Sequence, residues 1–350
     1  MTVLGPIPSE EAGITLVHEH VFFDHSRSFH YSETATAKGL LNKPVEMSML
    51  GLLRRRPTGT TLDNVILSDQ DTAIAELGRF QREGGGLVVD CTVDGLGRDP
   101  AALRRVARAT GIHVVQGTGF YTERSHPAWV KDWTIDQLAQ LFIEHIQVGI
   151  DDTGVKAGIL GEIGTSLVPG DAGPTAVMTP AEERVLRAAG RAAVATGVAV
   201  SVHVDVRGKG AVQVIDVLAQ EGLPPDRMIM GHMDIPMDLD YHLAVAARGV
   251  FLAYDEFGRD YYSDEVGVSR PSDVTRIEYL QSLIRAGYED QVLLSHDVCL
   301  KMDLRRYGGN GYDHILVSVL PMFRRAGLSE GQIAKLLVHN PRRALEFDLP

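Results

Sequence analysis

The feature that most constrains this 350-residue chain is a repeated alternation of two kinds of segment. Eight short, mostly apolar runs recur along it: Ile14–Val17, Leu87–Asp90, His113–Gly117, Ala157–Glu162, Ala199–His203, Met228–Gly231, Val250–Tyr254 and Val292–Ser295. Continuous apolar runs of this length suit a parallel sheet covered on both faces, because neither side of such a strand meets water. Helical signals fall between them. Asp71–Arg82 places Ile74, Leu77 and Phe80 at helical spacing, and Gly84-Gly85-Gly86 behind it reads as a helix stop and turn. Pro100–Thr110 ends at Gly111, and Thr179-Pro180-Ala181-Glu182 is a capping box with proline at the first helical position. Val212–Gln220 and Asp273–Arg285 repeat the pattern. Such units predict an α/β fold, a closed (β/α)8 TIM barrel, with a doubly wound open sheet as the competing architecture.

No repeat, low-complexity tract or composition break marks a second domain, so residues 1–350 are expected to form one barrel domain. The longest irregular stretch, from about Phe22 to Ser68, would be a long loop or small insertion after the first strand, on the face where barrels keep their active sites. A content of 44% hydrophobic and 23% charged residues is that of a soluble globular protein. Met1–Glu11 lacks the basic start and apolar core of a signal peptide, and no run reaches the length of a membrane span. The net charge of −12 repels phosphate backbones and anionic lipid, which argues against nucleic-acid and membrane partners. Arg54-Arg55-Arg56, beside Pro57, reads as a solvated loop. Cys91 and Cys299 alone cannot build a disulfide framework, which points to a reducing cytoplasm.

The chemistry lies at the strand ends. His18-Glu19-His20 closes the first run, and alternation along a strand puts both imidazoles on one face with Glu19 on the other. The fourth run ends in Gly161-Glu162-Ile163-Gly164, the fifth in His203, the sixth in Gly231-His232 and the eighth in Ser295-His296-Asp297. A lone buried histidine is usually a satisfied core residue. Five strands that deliver a metal-capable side chain at the same end are a different matter, because a barrel gathers those ends around its mouth. A dehydrogenase or phosphatase on an open sheet would need a Gly-rich phosphate loop where His18-Glu19-His20 stands.

These stretches, with Gly13–His20, Gly97-Arg98-Asp99-Pro100, Gly117-Thr118-Gly119-Phe120-Tyr121, Gly158–Gly164 and Asn340-Pro341-Arg342-Arg343, resemble the phosphotriesterase family of the amidohydrolase superfamily, collinearly over nearly the whole chain. The resemblance implies two divalent metal ions, zinc foremost, with manganese, cobalt or iron also suited to nitrogen and oxygen donors. It implies His18, His20 and Asp297 on the more buried ion, His203 and His232 on the other, a hydroxide between them, and Asp297 as catalytic base. The best-known members bridge the metals with a carboxylated lysine. Here the bridge falls to Glu162, as in the glutamate-bridged, phosphotriesterase-related branch, since Lys156 lies six residues earlier, at the wrong end of the strand. Tyr121, Arg207 and Glu256 are candidate substrate-binding residues, and Asp205, Asp234 and Asp238 are placed to line the pocket or orient ligands. Acyl-homoserine lactonases of this kind carry an arginine where Glu256 stands. His296 is read as structural, and His30, His113, His126, His145, His242, His314 and His339 as ordinary histidines. The implied activity is hydrolysis of a lactone, carboxylate ester or amide in a small-molecule substrate. A phosphotriester hydrolase and a non-catalytic small-molecule-binding barrel are the alternatives. A homodimer is implied by the resemblance alone.

Overall fold

In the computed structural model, which describes residues 1–170 and 173–348, eight parallel strands form one sheet in chain order. They are β1 (Ile14–Glu19), β2 (Gly85–Asp90), β3 (His113–Thr118), β4 (Ile159–Gly164), β5 (Val200–His203), β6 (Met228–Met230), β7 (Phe251–Tyr254) and β8 (Val292–Leu294). At the end of β1 and just past β8, the Asp297 N–H donates to the His18 carbonyl and the His20 N–H to the Val298 carbonyl, both at 3.2 Å, which draws the last strand to the first. With helices between the strands, this is a (β/α)8 barrel.

Strand residues divide by face into two apolar cores, as alternation requires. Leu16, Val88, Val114 and Leu160 pack with helix residues such as Leu77 and Phe80, while Val17, Leu87, Val89, Val115 and Ile159 form an inner cluster. The strands therefore bury both faces, which is why they read as unbroken apolar runs.

Two irregularities interrupt the alternation where it matters. Against β2, β1 gains one residue between Leu16 and Glu19; against β5, β4 gains one between Leu160 and Ile163. A bulge re-aims every side chain beyond it. Val17 and His18 consequently both face inward, and so do Ile159 and Glu162.

Two expectations need correction. Gly84 (φ +97°) ends the helix Gln70–Arg82, but Gly85 and Gly86 open β2 rather than form a turn. A Cβ on Gly86 would lie 2.3 Å from the Ala12 carbonyl oxygen, so bare backbone is what fits there. At β4, the Ala157 N–H donates to His145 O (2.9 Å) instead of joining the sheet, and the strand starts at Ile159.

The stretch from Phe22 to Ser68 folds as a small insertion over the mouth. Phe23–Asp24 pairs antiparallel with Ile66–Leu67, and short helices occupy Ala35–Leu40 and Leu50–Arg55. Phe29, Val45, Leu53 and Val65 pack against Leu300 and Met302 of the segment after β8. Its clasp to the segment after β7 is polar: Arg55 pairs with Asp264, and Thr58 donates to Glu265. No helix among the described residues is long and apolar enough to cross a membrane.

Candidate metal centre

The side chains singled out at the strand ends converge on one buried point at the C-terminal mouth. His18 Nε2 lies 3.3 Å from Glu162 Oε1 and 3.7 Å from Asp297 Oδ1, and His20 Nε2 lies 3.3 Å from Asp297 Oδ1. The same Glu162 Oε1 is 3.0 Å from His232 Nε2 and 3.2 Å from His203 Nδ1. Those two nitrogens are themselves 2.8 Å apart. The His18 side chain is 1% exposed and that of His203 15%, so the cluster has an inner and an outer half.

Three of the four imidazoles are held from behind. His18 Nδ1 donates to Asp255 Oδ2 (2.8 Å) and His232 Nδ1 to Asp255 Oδ1 (3.1 Å). An ionised carboxylate only accepts, so both rings carry a proton on Nδ1 and turn Nε2 to the centre. His20 Nδ1 contacts Thr92 Oγ1 at 2.9 Å. Asp255 is held in turn: the Asp255 and Glu256 N–H groups donate to Asp234, which also accepts from Arg276 Nε at 2.6 Å. Carboxylates behind histidines in this way fix ring orientation and raise ligand basicity. His232 and Asp297 sit at φ +57° and +52°, a region costly for a side chain with a Cβ. Such strain persists where surrounding structure enforces it and clusters at functional sites.

The electrostatics ask for positive charge. Burial alone would lower the His18 imidazole, but Glu162, Asp255 and Asp297 overcome it and hold the group up at about 9. His232 is raised in the same way by Asp255 and Glu162 against burial. Burial would raise Glu162 and Asp297; His18 and its neighbours hold the first well below the usual carboxylate range, and Arg259 with His20 does so for the second.

These residues fit a pair of divalent cations. His18 Nε2 is buried with no hydrogen-bond partner and faces two carboxylates, the charge arrangement that a bound cation would balance. His18, His20 and Asp297 bring donor atoms within 4.8 Å of one another, as do His18, Glu162 and His232. A set of imidazoles and carboxylates suits zinc and its first-row neighbours.

The remaining candidates have varied positions. Tyr121, just past β3, has its hydroxyl 3.2–3.3 Å from both ring nitrogens of His203. Asp205 accepts from Leu167 N–H and from Arg207, whose side chain is half exposed at the cavity. Asp238 caps the helix Leu239–Ala246. Glu256 is buried and clamped between Arg259 (3.2 Å) and Arg270 (2.5 Å). Lys156 lines a cavity with Met1 and Arg104 at the far end of the barrel. His296 donates from Nδ1 to Glu19 (2.7 Å) and accepts from Ile315 N–H, a structural link between β1 and the chain after β8.

Sequence reasoning missed Asp255, Thr92 and Arg259 as parts of the site. Arg259 donates to Asp297 Oδ2 (2.6 Å) and Asp303 Oδ2 (3.0 Å). It also missed His25, whose buried Nδ1 has no partner and whose ring stacks on Phe23 over the cavity. The cavity above the centre has a volume of about 490 Å³.

The phosphotriesterase family profile matches residues 1–345. The N-acetyltaurine hydrolase of Danio rerio is 33% identical over 350 residues, covering 99% of this chain and 97% of its own. Among solved structures, a resiniferatoxin-binding protein from Rhodobacter sphaeroides superposes with a TM-score of 0.93 at 38% identity, covering 99% of this chain and 94% of its own. The lactonase Lmo2620 from Listeria monocytogenes gives 0.78 at 25% identity, covering 99% and 98%. The barrel, the donor cluster at its mouth and the full-length match agree: the chain belongs to the phosphotriesterase family, and with it to the hydrolases.

Proposed function

We propose that the chain is a binuclear metal-dependent hydrolase that cleaves a carboxylic ester, lactone or amide bond. The observation that carries this reading is the convergence of six donor side chains from five strand ends on one buried point, three of their imidazoles oriented from behind. In it, His18, His20 and Asp297 hold the inner ion, His203 and His232 the outer one, and Glu162 lies between them. Divalent ions bound there supply Lewis acidity toward the scissile carbonyl and bring the pKa of water near neutrality.

The chain's own groups do the rest. Asp297, which Arg259 helps keep ionised, accepts the proton of the attacking water and passes it to the leaving alcohol or amine. Asp255 and Thr92 keep the imidazoles aimed. In this reading Tyr121, whose hydroxyl lies 3.2 Å from His203 Nδ1, donates a hydrogen bond to the bound acyl group. The insertion and the segment after β7 wall the cavity, which limits solvent access. Relatives named as an N-acetyltaurine hydrolase and a lactonase support acyl transfer to water as the shared chemistry.

The test is purified protein reloaded with zinc or manganese, analysed for metal per chain and assayed on lactones, carboxylate esters, N-acyl amino acids and phosphotriesters. About two equivalents per chain, with acyl turnover that a chelator abolishes, is the expected result. A protein that takes up no metal yet retains a small-molecule ligand would be a binding barrel and would overturn the reading. Phosphotriester turnover exceeding every acyl substrate would replace the bond assigned.

A further inference from the structure

One wall of the cavity carries polar groups that no protein atom satisfies. Arg270 follows a short antiparallel pair, Tyr262–Ser263 with Val268–Ser269, and its backbone N–H donates to the Tyr261 carbonyl at 2.8 Å. Its Nε donates to Glu256 Oε2 at 2.5 Å, and its guanidinium carbon stands 5.1 Å from the centre of the Tyr261 ring. Arg270 Nη1 is buried with no acceptor, and the Tyr261 hydroxyl is buried with no partner. Both residues line the cavity above the donor cluster. Buried polar groups nearly always find partners, and these two, on neighbouring residues that both line the cavity, have none.

Two of the other arginines around the cavity are committed elsewhere. Arg207 gives Nε and Nη2 to Asp205, and Arg259 is taken by Asp297, Asp303 and Glu256. Arg124 is exposed. Among the described residues Glu256 is the one carboxylate paired with Arg270, and Arg259 draws on its other oxygen. The wall therefore offers a stacked guanidinium and a phenol to an acceptor, beside a centre that holds the reacting group.

Resting on the hydrolase reading above, we propose that Arg270 and Tyr261 form an anion-binding subsite that selects acyl substrates with a carboxylate or sulfonate head group away from the scissile bond. A planar guanidinium pairs with two oxygens of either anion, and the phenol adds a third contact. The distance from this wall to the donor cluster sets how far the head lies from the bond that is cut.

The test uses three N-acetyl amines on the same two-carbon spacer: N-acetyl-β-alanine, N-acetyltaurine and the uncharged N-acetyl-β-alaninamide. The metal-loaded native protein is expected to favour an anion over the neutral amide by roughly 100-fold in kcat/KM. The ratio between the two anions identifies the head group. In Arg270→Gln that anion preference collapses toward unity, chiefly through KM, and Arg270→Lys restores part of it. Tyr261→Phe lowers the preference by about fivefold. A preference unchanged in Arg270→Gln, or native preference for the neutral amide, overturns the proposal.

A second arm reads binding without turnover. 4-Oxopentane-1-sulfonate, a ketone in which CH2 replaces the amide nitrogen of N-acetyltaurine, cannot be hydrolysed at that position. Calorimetric binding to the metal-loaded protein should weaken at least tenfold in Arg270→Gln with metal content equal. Arg270-dependent binding without turnover of any substrate would sink the hydrolase reading and leave the subsite standing. Turnover that ignores Arg270, with sulfonate binding equally indifferent, would sink the subsite and leave the hydrolase.

Discussion

His145 and His18 are both buried, and burial by itself works against the charge on each. His145, on the helix Ile135–Gln147, faces a hydroxyl, Thr118 Oγ1 at 2.7 Å, and its pKa falls to about 4. His242, which donates to Pro236 O and meets the Tyr254 hydroxyl, falls likewise to about 4. His18 faces Asp255, Glu162 and Asp297 and is held up at about 9. Shared carboxylates, rather than burial, make an imidazole part of a site that draws cations. The outer histidines are packing residues with polar but uncharged hydrogen-bond partners, and those at the mouth face surplus negative charge.

The most severe break in that contrast is the removal of a carboxylate that also takes the proton. Asp297→Asn keeps an oxygen donor but loses the base, so kcat should drop roughly 10³-fold while most metal stays bound. Metal analysis beside steady-state kinetics checks it. Undiminished turnover would remove Asp297 from its role.

Removal of the carboxylate behind the rings tests orientation instead. Asp255→Asn leaves every proposed ligand in place, yet frees two imidazoles at once. Metal affinity should fall about 10- to 100-fold, read by competition with a chelator. Glu162→Gln should weaken the pair of ions by a comparable factor, because it removes the negative charge between the halves. Lys156→Met, at the far end of the barrel, should leave metal content alone. Stripping of the metals by the lysine change would mean that the bridge has been misassigned.

The legibility of this contrast in the sequence was uneven, for identifiable reasons. The strand cores were readable because a parallel strand buried on both faces must be apolar throughout, and the ends of the five site-bearing runs are marked by the switch to His, Glu or Asp. Simple alternation would have set His18 on the outer face with Leu16; the extra residue in β1 that turns it inward has no signature in ITLVHE. Asp255 lies 237 residues from His18, and only barrel closure brings them together. Arg259, Tyr261 and Arg270 sit on a connection whose path depends on its contacts with the insertion. His25 carries no pattern in sequence, because its neighbours across the cavity come from other strands.

The smallest effect expected is in the acid stability of the outer histidines. An unfolded chain protonates His145 near its ordinary 6.5, whereas the folded protein resists until about 4. Between those values the unfolded state binds more protons, so stability rises with pH there and is lost as pH falls from 6.5 toward 4. Between pH 7 and pH 5 the loss from this one group comes to about 2 kcal/mol. His145→Asn keeps a polar contact with Thr118 but cannot take up the proton. Its urea-unfolding stability should start lower at pH 7 and decline less steeply toward pH 5 than that of the native chain. Parallel slopes for the two proteins would mean that His145 is not held neutral by its surroundings, and the contrast with His18 would then rest on the mouth alone.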